Sequence, residues 1–311
     1  MLSIKSLEKS YGSFKALNGV NLEIEKGDIF GFIGPNGAGK STTMKIVAGL
    51  LSADSGEVYV DNIDAIKENR KLKEKIGYMP DFFGVYDNIT AIEYLEFYAS
   101  IYGIVGEEAR ELGMDLLDLV NLKDKHDSYV DGLSRGMKQR LCLARCLVHN
   151  PELLILDEPA SGMDPKSRYE MKSILKNLKS MGKTIIVSSH ILSELGEICN
   201  KIGIIKNGKL VCQGTVEEVT IMASGSAPVT IQVMEDANKA VEIMRELPFV
   251  KSIALDENKI VADIIGGDKE TKDLLKTLVL RDIPVISFTK SVGNLEDVFM
   301  QITEGNLGEE V

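Results

Sequence analysis

Cysteine is scarce, with 4 in 311 residues, and no two form a CxxC pair. That usage offers no disulfide framework and predicts a reducing, cytoplasmic setting. Basic residues are outnumbered: 36 Lys and Arg face 47 Asp and Glu, a formal net charge of −11. An acidic balance gives no general attraction to nucleic acid or anionic lipid, so no nucleic-acid partner is expected. Long apolar runs are missing too. No stretch approaches the roughly 18 residues that span a bilayer, so work at a membrane has to pass through a partner. Met1-Leu2-Ser3-Ile4-Lys5 meets charge at once, which predicts no signal peptide. Histidine numbers only 3. Cys142, Cys146 and His149 share one face of a predicted helix at i, i+4, i+7, but a metal site there needs a further ligand. A buried, apolar helix face is expected instead. At 44% hydrophobic residues, the chain is long enough for one large core and a smaller one.

What is present is concentrated in one stretch, Gly34-Pro35-Asn36-Gly37-Ala38-Gly39-Lys40-Ser41-Thr42. It reads G-x-x-x-x-G-K-S, between a predicted buried strand (28–33) and a predicted helix start (41–48). Glycines let backbone N–H groups turn inward around a phosphate without Cβ clashes. The helix points its positive dipole end at the same anion. Lys40 is placed to reach the β- and γ-phosphates of a nucleotide, and the Ser41 hydroxyl to hold Mg²⁺. Tyr11 lies one hairpin upstream, where an aromatic ring can stack on a base.

Further on, Leu153-Leu154-Ile155-Leu156 reads as a parallel strand buried on both faces and ends in Asp157-Glu158. Asp157 is placed to anchor Mg²⁺ through water, Glu158 to polarise an attacking water as general base. The strand 184–188 leads to His190, at the carboxyl end where α/β sheets put their sites. Helical periodicity runs from Thr90 to about Val120, with Tyr94, Phe97, Tyr98 and Tyr102 forming an aromatic stripe. Ser134 reads as an N-cap, and with Gly136 makes a second phosphate contact at a helix start. The stretch 223–228 reads as a linker. Beyond it the order strand, helix, strand, strand, helix, strand suggests a small α+β ferredoxin-like domain, followed by a last helix through Leu295 to Ile302.

Together and in this order, these motifs resemble the ATP-binding subunit of an ABC transporter over roughly residues 1–220. The element specific to that family is Leu133-Ser134-Arg135-Gly136-Met137, which resembles its signature sequence. Tyr11 falls at the family's adenine-stacking aromatic, 161–164 at its D-loop, and His190 at its switch histidine. Two positions depart from the pattern. Asp81 stands where the family usually has glutamine, which places a carboxylate that can touch the metal near the phosphates. Arg135 and Met137 stand where a glycine and a glutamine are usual. Both variants, and the ending 294–299, are similar to prokaryotic exporters of the drug, antibiotic and sodium type.

The resemblance implies an α/β P-loop ATPase domain over residues 1–222, with a parallel-sheet core, an antiparallel β subdomain and an inserted helical subdomain. An accessory domain over 228–303, dimer-supporting or sensory, and a frayed tail over 304–311 complete the chain. ATP and Mg²⁺ are the implied cofactors. Gly34 to Thr42, Tyr11, Ser134 and Gly136 would bind ATP. Ser41, Asp157 and Asp81 would hold the metal, and Lys40, Glu158 and His190 would act on the phosphoryl group. The implied partners are a second ATP-binding subunit, a second copy of this chain or a close relative, and an integral membrane permease. The permease would hold the chain at the inner face of the cell membrane. Other readings are an importer ATPase, a soluble ABC ATPase acting without a membrane, and a nucleotide-dependent regulator with little turnover.

Overall fold

Alternation interrupted by register shifts, one of them at Ser6 with φ 48°, builds the first strands. β1 (Leu2–Tyr11) buries Leu2, Ile4 and Leu7, and β2 (Phe14–Ile24) buries Leu17, Val20, Leu22 and Ile24, so their shared inner face is apolar. β3 (Ile29–Ile33) is buried at every position, as a central parallel strand must be. The chain then runs through α1 (Lys40–Val47), β4 (Ser55–Val60), β5 (Ile63–Asp64), α2 (Asn69–Lys75) and β6 (Ile76–Met79). α3 (Ala91–Ile101), α4 (Glu107–Leu119) and α5 (Arg135–Leu147) follow, then β7 (Leu153–Leu156), α6 (Pro165–Ser180), β8 (Thr184–Ser188), α7 (Leu192–Ile198), β9 (Lys201–Lys206) and β10 (Lys209–Thr215). This computed structural model describes residues 1–82, 84, 88–189, 191–224, 227–290, 295 and 299.

Within Met1–Gln213, two sheets share one core. The antiparallel sheet has the order β2-β1-β4-β5, and the larger sheet the order β10-β9-β3-β8-β7-β6. β9, β3, β8, β7 and β6 pair in parallel. Phe30 and Phe32 of β3, Ile46 of α1 and Val58 of β4 join the β1 and β2 side chains in one cluster. The segments after β3, β6, β7 and β8 therefore all leave the carboxyl edge of the same parallel sheet, where α/β folds gather ligands.

The predicted helical stretch from Thr90 to about Val120 holds two helices, α3 and α4. Thr90 caps α3 through a reciprocal pair with Glu93. Gly103 and Gly106, both at positive φ, end it and turn the chain into α4. Ser134 does cap α5, accepting from the Met137 N–H at 3.3 Å.

One surface network ties three of these elements together. Glu152, just before β7, accepts from Lys26 at 2.9 Å and from Lys75 of α2 at 2.7 Å. The two ammonium groups pull its carboxyl from an ordinary 4.5 down to about 2. A depressed carboxylate stabilises the fold above its unfolded value and loses that contribution as pH falls through the folded one. The parent protein should therefore lose more stability than Glu152→Gln between pH 4.5 and pH 2, read from urea midpoints across that window. The difference is small, because solvent and salt screen these ion pairs.

The chain divides into two compact units, Met1–Gln213 and Gly214–Val311. The second holds α8 (Val216–Ser224), β11 (Ala227–Val233), α9 (Ala237–Arg245), β12 (Val250–Asp256), β13 (Lys259–Ile264), α10 (Asp268–Leu280) and β14 (Val285–Lys290). Its strands form an antiparallel sheet of order β12-β13-β11-β14, closed by a core from Val229, Ile231, Met244, Ile260 and Leu274. The described residues of the stretch predicted as a linker, 223–224 and 227–228, belong to α8 and β11. Thr215 and Glu218 bond reciprocally to start α8, and β11 pairs with both β13 and β14 from Ala227 and Val229 onward. The predicted last helix and tail lie outside the described residues, apart from Leu295 and Phe299.

Candidate functional site

The loop between β3 and α1 is built by close approach. Gly39 has φ 114°, and a Cβ there would lie 2.6 Å from Leu17 Cδ2 and 2.8 Å from the Ala16 carbonyl. Only glycine meets both demands. The Ala38 N–H donates to the Pro35 carbonyl at 3.1 Å, and the Thr43 N–H to the Gly39 carbonyl at 2.9 Å. Lys40 folds back over the loop: its Nζ donates to the carbonyls of Gly34 at 2.6 Å and Pro35 at 3.2 Å. The side chain is 8% exposed. Burial lowers its pKa, and Glu158 and Asp157 partly restore it. A buried ammonium held by neutral carbonyls gains by exchanging them for anionic oxygens, which make stronger charge-assisted bonds.

The two acids after β7 are held by one hydroxyl. Asp157, 4% exposed, accepts from Ser188 Oγ at 2.7 Å, and its N–H donates to the Met79 carbonyl at 2.8 Å. The same Ser188 Oγ accepts the Glu158 N–H at 3.0 Å. Glu158 sits at φ 53°, a left-handed conformation that costs a non-glycine residue about 1–3 kcal/mol. Ser188, at the end of β8, ties both acids in place, a contact that sequence reasoning missed. Ser188→Ala should destabilise the protein by about 1–3 kcal/mol, because the buried Asp157 loses its hydroxyl donor. Urea unfolding with and without ATP checks this, with a matching loss of nucleotide affinity expected.

These parts converge on one cavity of about 250 Å³. Asn36, Gly37, Gly39, Lys40, Ser41 and Thr42 line it from the loop and α1. Asp81, Asp157 and Glu158 line it from the ends of β6 and β7. Tyr11, Phe14 and Ala16 line it from the β1–β2 hairpin, where Tyr11 and Phe14 are cross-strand partners. Both rings are about half exposed, and the Lys9 ammonium lies over the Tyr11 ring, 5.9 Å from its centroid. Phe14 is a second ring that sequence reasoning did not mark. Tyr78 of β6 carries a buried hydroxyl with no partner among the described residues. Burial, together with Asp157 and Asp81, pushes that phenol up to about 12.

Not every predicted site residue lines the cavity. Gly34, Pro35 and Ala38 shape the loop behind it through the hydrogen bonds above. Ser134 and Gly136 lie at the start of α5 and are not among the lining residues. Gly136 packs so tightly on α6 that a Cβ would lie 2.7 Å from Ser167 Oγ. His190 lies outside the described residues. Cys142 and Cys146 are buried; Cys142 accepts from Arg145 and Cys146 donates to the Tyr78 carbonyl.

The donor set fits Mg²⁺. A Ser41 hydroxyl and the carboxylates of Asp157 and Asp81 are hard oxygen ligands facing a common cavity. Among the described residues no group of three His, Cys, Asp or Glu forms an all-protein cage. Magnesium characteristically binds in this way, through one or two carboxylates with phosphate oxygens and water completing the shell.

Comparison with known proteins agrees with this geometry. A sequence profile described as "ABC transporter" matches residues 17–161. A linearmycin resistance ATP-binding protein of Bacillus subtilis is 33% identical over 97% of this chain and 98% of its own length. A bacitracin transport ATP-binding protein of Bacillus licheniformis is 35% identical, with 98% of each chain covered. Among solved structures, a dimeric ATP-binding cassette in a post-hydrolysis state bound to ADP and Pi superposes with a TM-score of 0.64 at 30% identity, covering 69% of this chain and 98% of the other.

Proposed function

Because the chain belongs to the ABC transporter family, as an ATP-hydrolysing ATP-binding subunit, we propose that two copies close around ATP and that this closure drives a membrane-embedded exporter. The observation that supports closure is the separation of parts within one chain. Lys40, Asp157 and Glu158 share a cavity that Ser134 and Gly136 do not line. A second copy supplies its Ser134 and Gly136 to the ATP held by the first, with the α5 helix start donating N–H groups to the γ-phosphate. The second unit supports that dimer.

Each residue then has a task. Tyr11 stacks on the base, and the loop from Gly34 to Thr42 wraps the phosphates. Lys40 leaves the Gly34 and Pro35 carbonyls for the β- and γ-phosphates. Ser41, Asp157 and Asp81 hold Mg²⁺, which when bound neutralises phosphate charge. Glu158 takes a proton from water as its oxygen bonds to the γ-phosphorus. The bond from that phosphorus to the bridging oxygen breaks, and ADP keeps the oxygen. His190, two residues after Ser188, stabilises charge on the phosphoryl group in transit. Hydrolysis reopens the dimer.

The relatives named for resistance and antibiotic transport support the exporter reading, as does a Nod factor export ATP-binding protein, 30% identical over 97% of this chain. Among the described residues no helix is long and apolar enough to cross a membrane, so force has to reach a permease through contact. Phe82 before α3, Phe97 and Ile101 on it and Tyr102 just after it are exposed apolar side chains suited to that contact. The test is a mild-detergent pull-down of tagged protein from its native membranes. A multi-span membrane protein should co-purify. Recovery of ribosomal or other soluble proteins alone would leave an ATPase without transport.

A further inference from the structure

Tyr78 of β6 has no task in the mechanism above, yet its place is specific. Its ring packs against the core cluster that includes Met44 of α1 and Ile155 of β7. Tyr78 pairs with Ile155 in the parallel ladder. Side chains two apart on a strand share a face, so Tyr78, Ile155 and Asp157 lie on one side of the sheet. The two strand ends are fixed to each other there, because the Asp157 N–H donates to the Met79 carbonyl at 2.8 Å. The Tyr78 hydroxyl is buried and bonds to no described residue. A hydroxyl taken out of water without a partner costs stability, so its presence calls for a partner that arrives later. The phenol, raised to about 12, keeps its proton at neutral pH and stays a donor.

Two carboxylates lie near enough for their charge to act on this phenol, Asp157 and Asp81. Asp157 already accepts from Ser188 Oγ at 2.7 Å. Asp81, exposed just after β6 and lining the nucleotide cavity, has no hydrogen bond or ion pair among the described residues. It shares the cavity with Asp157 and Glu158, so like charge opposes its turning inward until a cation is present.

We propose that Tyr78 is a positioning residue for the metal site: its hydroxyl donates to the Asp81 carboxylate when that carboxylate turns inward with Mg²⁺ and ATP bound. This rests on the reading above in which Asp81 helps to hold the metal. A carboxylate that gives one oxygen to a cation keeps the other as an acceptor, and ligating carboxylates are characteristically hydrogen-bonded from behind. Glutamine at this position would bring an amide donor of its own, whereas an ionised aspartate brings only acceptors. The donor then has to come from elsewhere, and Tyr78, three residues earlier, holds one without a partner.

The test uses the full chain and a β,γ-imido analogue of ATP that cannot be hydrolysed at the γ-phosphate. Isothermal titration with excess Mg²⁺, and again with EDTA, gives the metal-dependent gain in affinity as a ratio. It is measured for the parent, Tyr78→Phe, Asp81→Ala and the double variant. Tyr78→Phe should cut that gain roughly 10-fold or more, the range for groups that orient metal ligands, and leave the affinity in EDTA unchanged. Its Tm before nucleotide is added should equal or exceed the parent's, since only an unpaired hydroxyl is removed. In the Asp81→Ala background, Tyr78→Phe should change nothing further. A parent-like gain in Tyr78→Phe beside a reduced gain in Asp81→Ala would overturn the proposal and leave Asp81 at the metal. A Tyr78→Phe loss that persists in the double variant would also overturn it, because the hydroxyl then acts on another group. So would a Tm below the parent's, which gives the hydroxyl a partner before the metal arrives. A parent-like gain in Asp81→Ala would remove Asp81 from the metal site, and this proposal with it.

Discussion

Glu158→Gln should lower kcat by about 10²–10⁴-fold, the range that a positioned general base contributes, while ATP still binds. The amide keeps the size of the carboxylate but loses its charge and its ability to take a proton. Its backbone N–H bond to Ser188 Oγ does not involve the changed group, so the strained turn at residue 158 keeps its tether. Removing one negative charge from a cavity that also holds Asp81 and Asp157 lowers repulsion with the phosphates. Binding without turnover then traps the closed form. Phosphate release and size-exclusion chromatography with ATP read the two effects separately. A slow variant that migrates as a dimer is expected; parent-rate hydrolysis would remove Glu158 from the base role.

Lys40→Met should weaken ATP binding about 10- to 150-fold, the equivalent of about 1.5–3 kcal/mol for a hydrogen bond to a charged group. Three carboxylates line the cavity, and Lys40 is the one cation among the described lining residues. Without it, phosphate enters a field of one sign. The nucleotide-free fold should be little affected. Lys40 is already desolvated, burial lowers its pKa, and its partners are two carbonyls rather than a carboxylate. Methionine has a similar length and suits a mostly buried position. Isothermal titration with ATP, beside a thermal melt without it, separates lost binding from lost folding. A Tm that fell as far as the affinity would make Lys40 a structural residue.

How far the sequence reaches differs from part to part. The loop from Gly34 to Thr42 is legible because its chemistry is local: glycine spacing, a strand before and a helix after. Asp157 and Glu158 are legible because an apolar strand ends in two acids. Ser188 is not, because its role depends on β8 lying beside β7, with Thr184 opposite Leu153, and that pairing is tertiary. Phe14 becomes a second ring of the site only through its register with Tyr11. α6 had its signal in plain view, Asp164 as N-cap and Pro165 in the first turn. The stretch 223–228 has the composition of a linker, yet the cap at Thr215 and the pairing of β11 override it. Gly136 is legible as a signature glycine, but Ser167 shows that packing against α6 also demands it. Loss of function at Gly136 alone therefore says little about phosphate binding.

The central claim is that one chain's cavity is completed by another chain's α5 start, and mixing two disabled variants tests it. Lys40→Met disables the cradle and keeps Ser134; Ser134→Arg blocks the helix start and keeps Lys40. Each alone should hydrolyse ATP poorly. In a mixed pair, the intact cradle of one chain faces the intact Ser134 of the other, and hydrolysis should return to a substantial fraction of the parent rate. No recovery over the sum of the two separate rates, with both variants folded, would contradict the account.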